Sequence, residues 1–351
     1  MRTIPYQKSR NAIRALCVML VLCFIPLFAL PAQAEDKLPG NLFGSALVEE
    51  RTFIESIAVA RDTIYIKTHR ALYQFQKGDQ KAQKIRELDA GYAAVTDEEE
   101  GKKPVLSLLL AYQDTLYALD FVNQELHRLE VKGEELLFSN TVSLDLSDFM
   151  YGDGLYMGHY PPSYYFINDG RLFLRHPNYE GNPQDLFGFD IATGEKTAYK
   201  TRNLQQMTPY RDGKYLAILF DEFNRYNMDT GEMADPELVV FDPAQDAVEP
   251  LDIKMVYQAM TGTVNSIYYD AQDDSLYTFT NTDVYRFDQG FKNKRLIGYL
   301  PMFGSYGSVN AGIQPFGDQL LVGFGTNVFL RQRDEKGLEG VTVLTSALRL
   351  E

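Results

Sequence analysis

Tryptophan is absent from this chain of 351 residues, and only two cysteines and four histidines occur in it. Both cysteines, Cys17 and Cys23, lie in the first 34 residues. Those residues read as a secretory signal peptide. Arg2, Lys8, Arg10 and Arg14 form a basic start, 15–30 is an uncharged apolar core, and Ala32-Gln33-Ala34 offers a small-x-small cleavage site before Glu35. The sixteen-residue core, interrupted by Pro26, falls short of a bilayer span, which takes roughly 20 apolar residues. No stable membrane insertion is therefore expected after cleavage. Val21-Leu22 ahead of Cys23 supplies no small residue, which argues against a lipid-bearing cysteine.

The expected mature chain, residues 35–351, then has no thiol, disulfide or thiolate metal site. Its 317 residues can bury a core large enough to hold without staples. His69, His127, His159 and His176 contain no i, i+4 pair, and Asp145, Asp148 and Asp153 lack the spacing of a calcium loop. No metal and no cofactor is expected. Neither a G-x-S-x-G elbow nor a G-x-x-x-x-G-K-[ST] loop is present, so serine-hydrolase and P-loop chemistry have no motif. Basic residues are also in the minority, 34 Lys and Arg against 48 Asp and Glu. Loss of four basic and no acidic residues with the signal moves the formal charge from −14 to −18. Such a surface repels phosphate backbones and anionic lipid, so no nucleic-acid partner is expected.

A repeat fills the rest. Six times a turn containing Asp runs into a strand of large apolar residues: DTIYIK (62–67), DTLYAL (114–119), DGRLFL (169–174), DGKYLAIL (212–219), DSLYTF (274–279) and GDQLLVGF (317–324). An apolar run precedes each turn, and a third strand follows, as in ALYQF (71–75), ELHRL (125–129), LFGFD (186–190) and LVVFD (238–242). Several units add a tight turn and a fourth strand, as in DIATGEKTAY (190–199). Strands and turns at a period near fifty residues define a radial β array. The expected fold is all-β, a β-propeller of four-stranded antiparallel blades.

The turn aspartates are 43 to 62 residues apart, and the two chain ends together supply about one further period. Six blades are favoured, and seven are possible if 140–163 or 222–236 hides a hairpin. A strand within 42–48 is expected to pair beside 341–350 and close the ring, which removes free sheet edges. Helix is expected to be scarce, with 254–260 the best candidate for a short turn.

In such a blade the turns between strands one and two, and three and four, lie on one face of the disc. The connections between strands two and three, and between blades, lie on the other. Here that second face carries the long segments, 86–104, 140–163, 175–185, 221–236, 252–265 and 299–311, and long loops on a rigid scaffold usually bind. Two of them concentrate aromatics. Tyr151, Tyr156, His159, Tyr160 and Tyr164 lie together, Arg175, His176 and Tyr179 follow, and Phe303 and Tyr306 stand in the second loop. Tyrosines join an apolar ring to a polar tip, a surface suited to sugars and peptides. The alternative is that these rings fill space between blades in a chain with no Trp.

FDIATGE (189–195), with a looser echo in YNMDTGE (226–232), resembles the D-x-x-T-G turn of quinoprotein-like propeller repeats. Those repeats carry a Trp shortly after the turn and this chain has none, so no quinone cofactor is implied. The D-x-L-Y strand pattern is similar to secreted bacterial six-bladed propellers of the TolB-type and low-density-lipoprotein-receptor-like groups. That resemblance implies protein or ligand binding rather than a fixed reaction. Residues 297–350, closing on GVTVLTSALRL, look like the last blade of propeller regions that in some secreted bacterial proteins precede an ABC-transporter solute-binding domain. The expectation is a secreted, extracellular or periplasmic, monomeric module that binds a glycan, peptide or protein through its long-loop face. The alternative is a carbohydrate-active enzyme with carboxylate catalysts at the channel mouth.

Overall fold

The computed structural model describes residues 54–68, 71–79, 82–88, 104–151, 158–159, 162, 164–176, 186–220, 236–254, 266–279, 283–299, 312–324, 327–332 and 341–345. All of them fall in the unit Phe43–Glu351. Six four-stranded antiparallel sheets form a six-bladed propeller.

Blade one holds β1 (Ile54–Ala60), β2 (Thr63–Thr68), β3 (Ala71–Gln76) and β4 (Gln83–Glu87). Blade two holds β5 (Leu108–Tyr112), β6 (Thr115–Asp120), β7 (Glu125–Lys132) and β8 (Glu135–Ser143). A ribbon of β9 (Met150–Tyr151) and β10 (Gly158–His159) comes next. Blade three is β11 (Tyr164–Asn168), β12 (Arg171–Arg175), β13 (Leu186–Asp190) and β14 (Lys196–Ala198). Blade four is β15 (Leu204–Pro209), β16 (Tyr215–Leu219), β17 (Glu237–Asp242) and β18 (Ala247–Lys254). Blade five is β19 (Ser266–Asp270), β20 (Ser275–Phe279), β21 (Asp283–Phe287) and β22 (Lys294–Tyr299). Blade six is β23 (Gly312–Phe316), β24 (Gln319–Phe324), β25 (Asn327–Gln332) and β26 (Val341–Thr345).

The six-blade count is borne out. The segment 140–163 does carry a hairpin, but it stops at the two-stranded β9–β10 ribbon and forms no seventh blade. Residues 140–143, read as loop, are the end of β8, where pairing with β7 continues to Ser143 opposite Glu125. The C-terminal strand exists as β26, paired with β25. The segment 42–48 lies outside the described residues, as do 222–235, including YNMDTGE, and 255–260. Lys254, proposed to open a helical turn, ends β18.

The aspartate turns have a backbone reason. Gln113 and Asp114 both take positive φ, 47° and 60°, as do Asp169 and Gly170, at 49° and 69°. Two such residues between paired strands make the hairpin turn whose twist matches that of the strands, and Asp and Gly tolerate it best. Farther out, five blades share a feature that the sequence pattern does not display. The pairing of strands three and four shifts register near the start of strand three, at Leu72/Tyr73, Leu126/Arg128, Leu238/Val239, Val284/Tyr285 and Val328/Phe329. An irregularity of this kind bends the outer strand and increases its twist.

Apolar side chains weld neighbouring blades. Phe173, Leu186, Tyr199, Tyr215 and Phe241 join blades three and four, and Phe173 stacks on Phe166 at 5.0 Å between ring centroids. The ring closes by the same means: Ile57, Ile64 and Phe75 of blade one pack with Phe316, Leu321 and Leu330 of blade six. Full burial of each such side chain is worth about 1.5–3 kcal/mol. Hydroxyls then satisfy innermost N–H groups that no ladder reaches. Ser56 Oγ accepts from Leu109 N at 2.9 Å, Thr208 Oγ1 from Tyr269 N at 3.1 Å, and Ser266 Oγ from Ile313 N at 2.8 Å.

Candidate functional site at the loop-face mouth of the channel

The innermost strands β1, β5, β11, β15, β19 and β23 surround a central cavity of about 300 Å³. Each innermost strand begins, and each second strand ends, on the loop face. Buried polar side chains gather there: Ser56, Lys67, Thr68, Asp120, Arg175, His176, Gln206 and Thr278 are each less than a tenth exposed.

Glu55 and Lys67 form the charged centre. Glu55 is the second residue of β1 and Lys67 the penultimate residue of β2, and the register sets Lys67 opposite Ser56. The ammonium of Lys67, 4% exposed, donates to the Glu55 carboxylate. Burial pulls the Lys67 pKa below its ordinary value, and the charge of Glu55 opposes that fall. Across the channel, Tyr165 of β11 donates its hydroxyl to the Glu55 carbonyl at 3.1 Å. Burial holds this phenol well above the usual tyrosine range.

Of the residues singled out in the sequence, three have described side chains. Tyr164 turns toward blade four, where its hydroxyl donates to the Met207 carbonyl, and burial raises its pKa. Arg175, 5% exposed, lies opposite Tyr164 in the β11–β12 ladder, and its Nη1 donates to Gln205 Oε1 at 2.8 Å. His176, 4% exposed, packs its ring on Phe149 at 5.4 Å. Tyr151 and His159 belong to the β9–β10 ribbon, Tyr151 opposite Gly158 and His159 opposite Met150. Tyr156, Tyr160, Tyr179, Phe303 and Tyr306 lie outside the described residues. Tyr164 and Arg175 are thus brought together, and both brace blade three against blade four.

Glu55 and Lys67 were not singled out by sequence reasoning, although each is the one charge in its strand segment, FIESIAVA and TIYIKT. Of the three aspartates that lack calcium-loop spacing, Asp153 lies outside the described residues and the other two have another task. Asp145 and Asp148 both receive the Lys196 ammonium, the former at 3.0 Å, and so fasten blade two to β14 of blade three. The D-x-x-T-G segment is a self-contained turn. Asp190 Oδ1 accepts from the N–H groups of Ala192 and Thr193 at 2.9 and 2.8 Å, and Gly194 takes φ 78°. Among the described residues, Asp120, Glu125 and His127 make one further group of metal-ligating types, at the loop-face end of blade two.

No protein-family description matches the chain, and no curated protein sequence does. Similar solved structures include a chain of a nidogen/laminin complex, 11% identical, covering 84% of this chain and 95% of that one, with a TM-score of 0.44. An oligogalacturonate lyase in complex with manganese is 10% identical over 74% of this chain and 70% of its own, with a TM-score of 0.40. A xyloglucanase from Xanthomonas campestris is 13% identical over 80% of this chain and 45% of its own, with a TM-score of 0.41. Among the described residues no helix is long and apolar enough to cross a membrane.

Proposed function

We propose that the chain is a secreted, monomeric binding or protein-interaction module, with residues 1–34 as its cleaved signal peptide and the loop-face mouth as its contact surface. The observation that carries this reading is the buried Glu55–Lys67 pair, bridged to blade three by Tyr165, which lines the cavity. A buried ion pair seldom stabilises a fold better than apolar residues of the same volume. Its presence where six strands converge on an open cavity fits a role in recognising a ligand. The pair sets a donor-rich ammonium beside an acceptor carboxylate, an arrangement suited to a polar, polyhydroxyl or peptide group rather than to a bare charge of either sign.

The enzyme reading has weaker support. Glycoside chemistry asks for two carboxyl groups, one of them able to donate a proton. Near the mouth Glu55 is engaged by Lys67, and Asp120 by three N–H donors at 2.7–2.8 Å. The test is a glycan and peptide array probed with the mature chain, followed by product analysis on whatever binds. Binding without turnover supports a module; turnover that vanishes with one carboxylate would reverse the assignment.

A further inference from the structure

We propose that Asp120, Glu125 and His127 form a divalent-metal site at the loop-face end of blade two, suited to a first-row ion such as Zn²⁺ or Mn²⁺. Asp120 ends β6 and Glu125 opens β7, and the ladder sets them directly opposite each other. His127 follows two places on, so the strand's two-residue period returns it to the face of Glu125. The three side chains offer one ligand atom each, all within 4.8 Å of one another.

The physical reason lies in the imidazole. His127 is 1% exposed, its ring packs edge-on to Phe138 at 5.5 Å, and its Nδ1 lies 3.0 Å from Thr141 Oγ1. Nε2 is buried with no hydrogen-bond partner, 3.4 Å from Glu125 Oε2 and 3.9 Å from Asp120 Oδ2. Either neutral tautomer leaves this atom unsatisfied. If Nδ1–H donates to Thr141, Nε2 points a lone pair at two carboxylates; with the proton on Nε2, the N–H meets no acceptor in hydrogen-bonding position. An orphaned polar atom in a buried site is costly and calls for a partner.

A cation among the three groups supplies one. Two ligand atoms, each about 2.1 Å from a tetrahedral ion, stand about 3.4 Å apart. That is the separation of His127 Nε2 and Glu125 Oε2. The ion would also neutralise Asp120, whose carboxylate is fully buried and otherwise held by the N–H of Val105, the N–H of Asn123 and the Asn123 amide. Thr141 fixes the orientation of the ring, the service that outer hydrogen bonds give to metal-bound histidines. One imidazole and two carboxylates favour Zn²⁺ or Mn²⁺ over ions that prefer sulfur. Glu125, with a quarter of its side chain exposed, is the arm on the solvent side. The bound ion would tie the start of β7 to the end of β6 and, through Asp120 and Val105, to the entry of β5.

The experiment uses the whole secreted chain, stripped with EDTA and titrated by calorimetry with zinc chloride and, separately, manganese chloride. One equivalent of at least one ion should bind and raise the melting temperature. Glu125→Gln removes a ligand charge at a partly exposed position and should fold, with affinity weakened about tenfold or more, at least the cost of losing a supporting contact. His127→Gln should likewise lose uptake. Absence of binding to the wild-type chain overturns the proposal. Unchanged affinity in Glu125→Gln also overturns it.

Discussion

The hydroxyl of Tyr165 reaches over the channel to the backbone of Glu55, a hydrogen bond of 3.1 Å between residues 110 apart in sequence. It joins blade three to blade one and passes over blade two. The ring meanwhile packs against the apolar cluster between blades two and three, so the same residue contributes to an interface and to the mouth.

Tyr165→Phe keeps the ring and removes the donor. A loss of about 1 kcal/mol in denaturant unfolding is expected. Because the Glu55 carbonyl loses its partner at the channel, binding should weaken as well.

Lys67 and Glu55 behave as a unit. Lys67→Met alone leaves the Glu55 carboxylate without its cation, a change expected to cost about 3 kcal/mol. The double variant Lys67→Met, Glu55→Gln should recover most of that loss. A double-mutant cycle by chemical denaturation measures the coupling, and additive effects would argue against a functional pair.

Asp145 sets an acid limb. The hydroxyl of Ser147 and the ammonium of Lys196 hold its carboxyl at a pKa of about 2, below the ordinary 3.8. The unfolded state therefore binds its proton first as pH falls, and the stabilisation present above 3.8 is lost through about 2. The melting temperature of Asp145→Asn should lie below wild type at pH 6, with the gap closing across that window. A gap independent of pH would show that the ionised carboxylate is not involved.

Two glycines with similar backbones should respond differently. A methyl group on Gly194, φ 78°, would stand 2.1 Å from the Ser143 carbonyl, whereas one on Gly213, φ 71°, would meet nothing within 4 Å. Gly213→Ala should cost only the left-handed conformation, about 1–2 kcal/mol. Gly194→Ala should cost more than about 2 kcal/mol, because the backbone of blade two must also move. Thermal unfolding of the two variants makes the comparison.

The blades were legible because each hairpin is local: Asp169-Gly170 and the apolar runs beside it sit within a dozen residues, and turn chemistry alone imposes them. The third strands were legible for the same reason, down to Leu186–Asp190 of blade three. The mouth was not. Its contacts join residues from different blades, and a lone Glu55 or Lys67 within an apolar run has no periodicity to announce it. One member of the aromatic cluster has a contact that the sequence does not announce, for a related reason. Tyr164 reads as one of several display tyrosines, but its hydroxyl partner is the carbonyl of Met207, 43 residues away. Conversely, His127 and Glu125 stand openly in ELHRL, yet Asp120 meets them only once β6 and β7 pair.

The most direct measurement compares wild type, Glu55→Gln with Lys67→Met, and Lys132→Glu on the same glycan and peptide array. Lys132 is exposed at the β7–β8 turn, on the opposite face of the disc. Wild type and Lys132→Glu should bind the same ligands with the same affinity, while the mouth double variant, still folded, should lose about tenfold or more, about 1.4 kcal/mol. Full binding by the mouth variant, with loss in Lys132→Glu, would put recognition on the turn face and contradict the account.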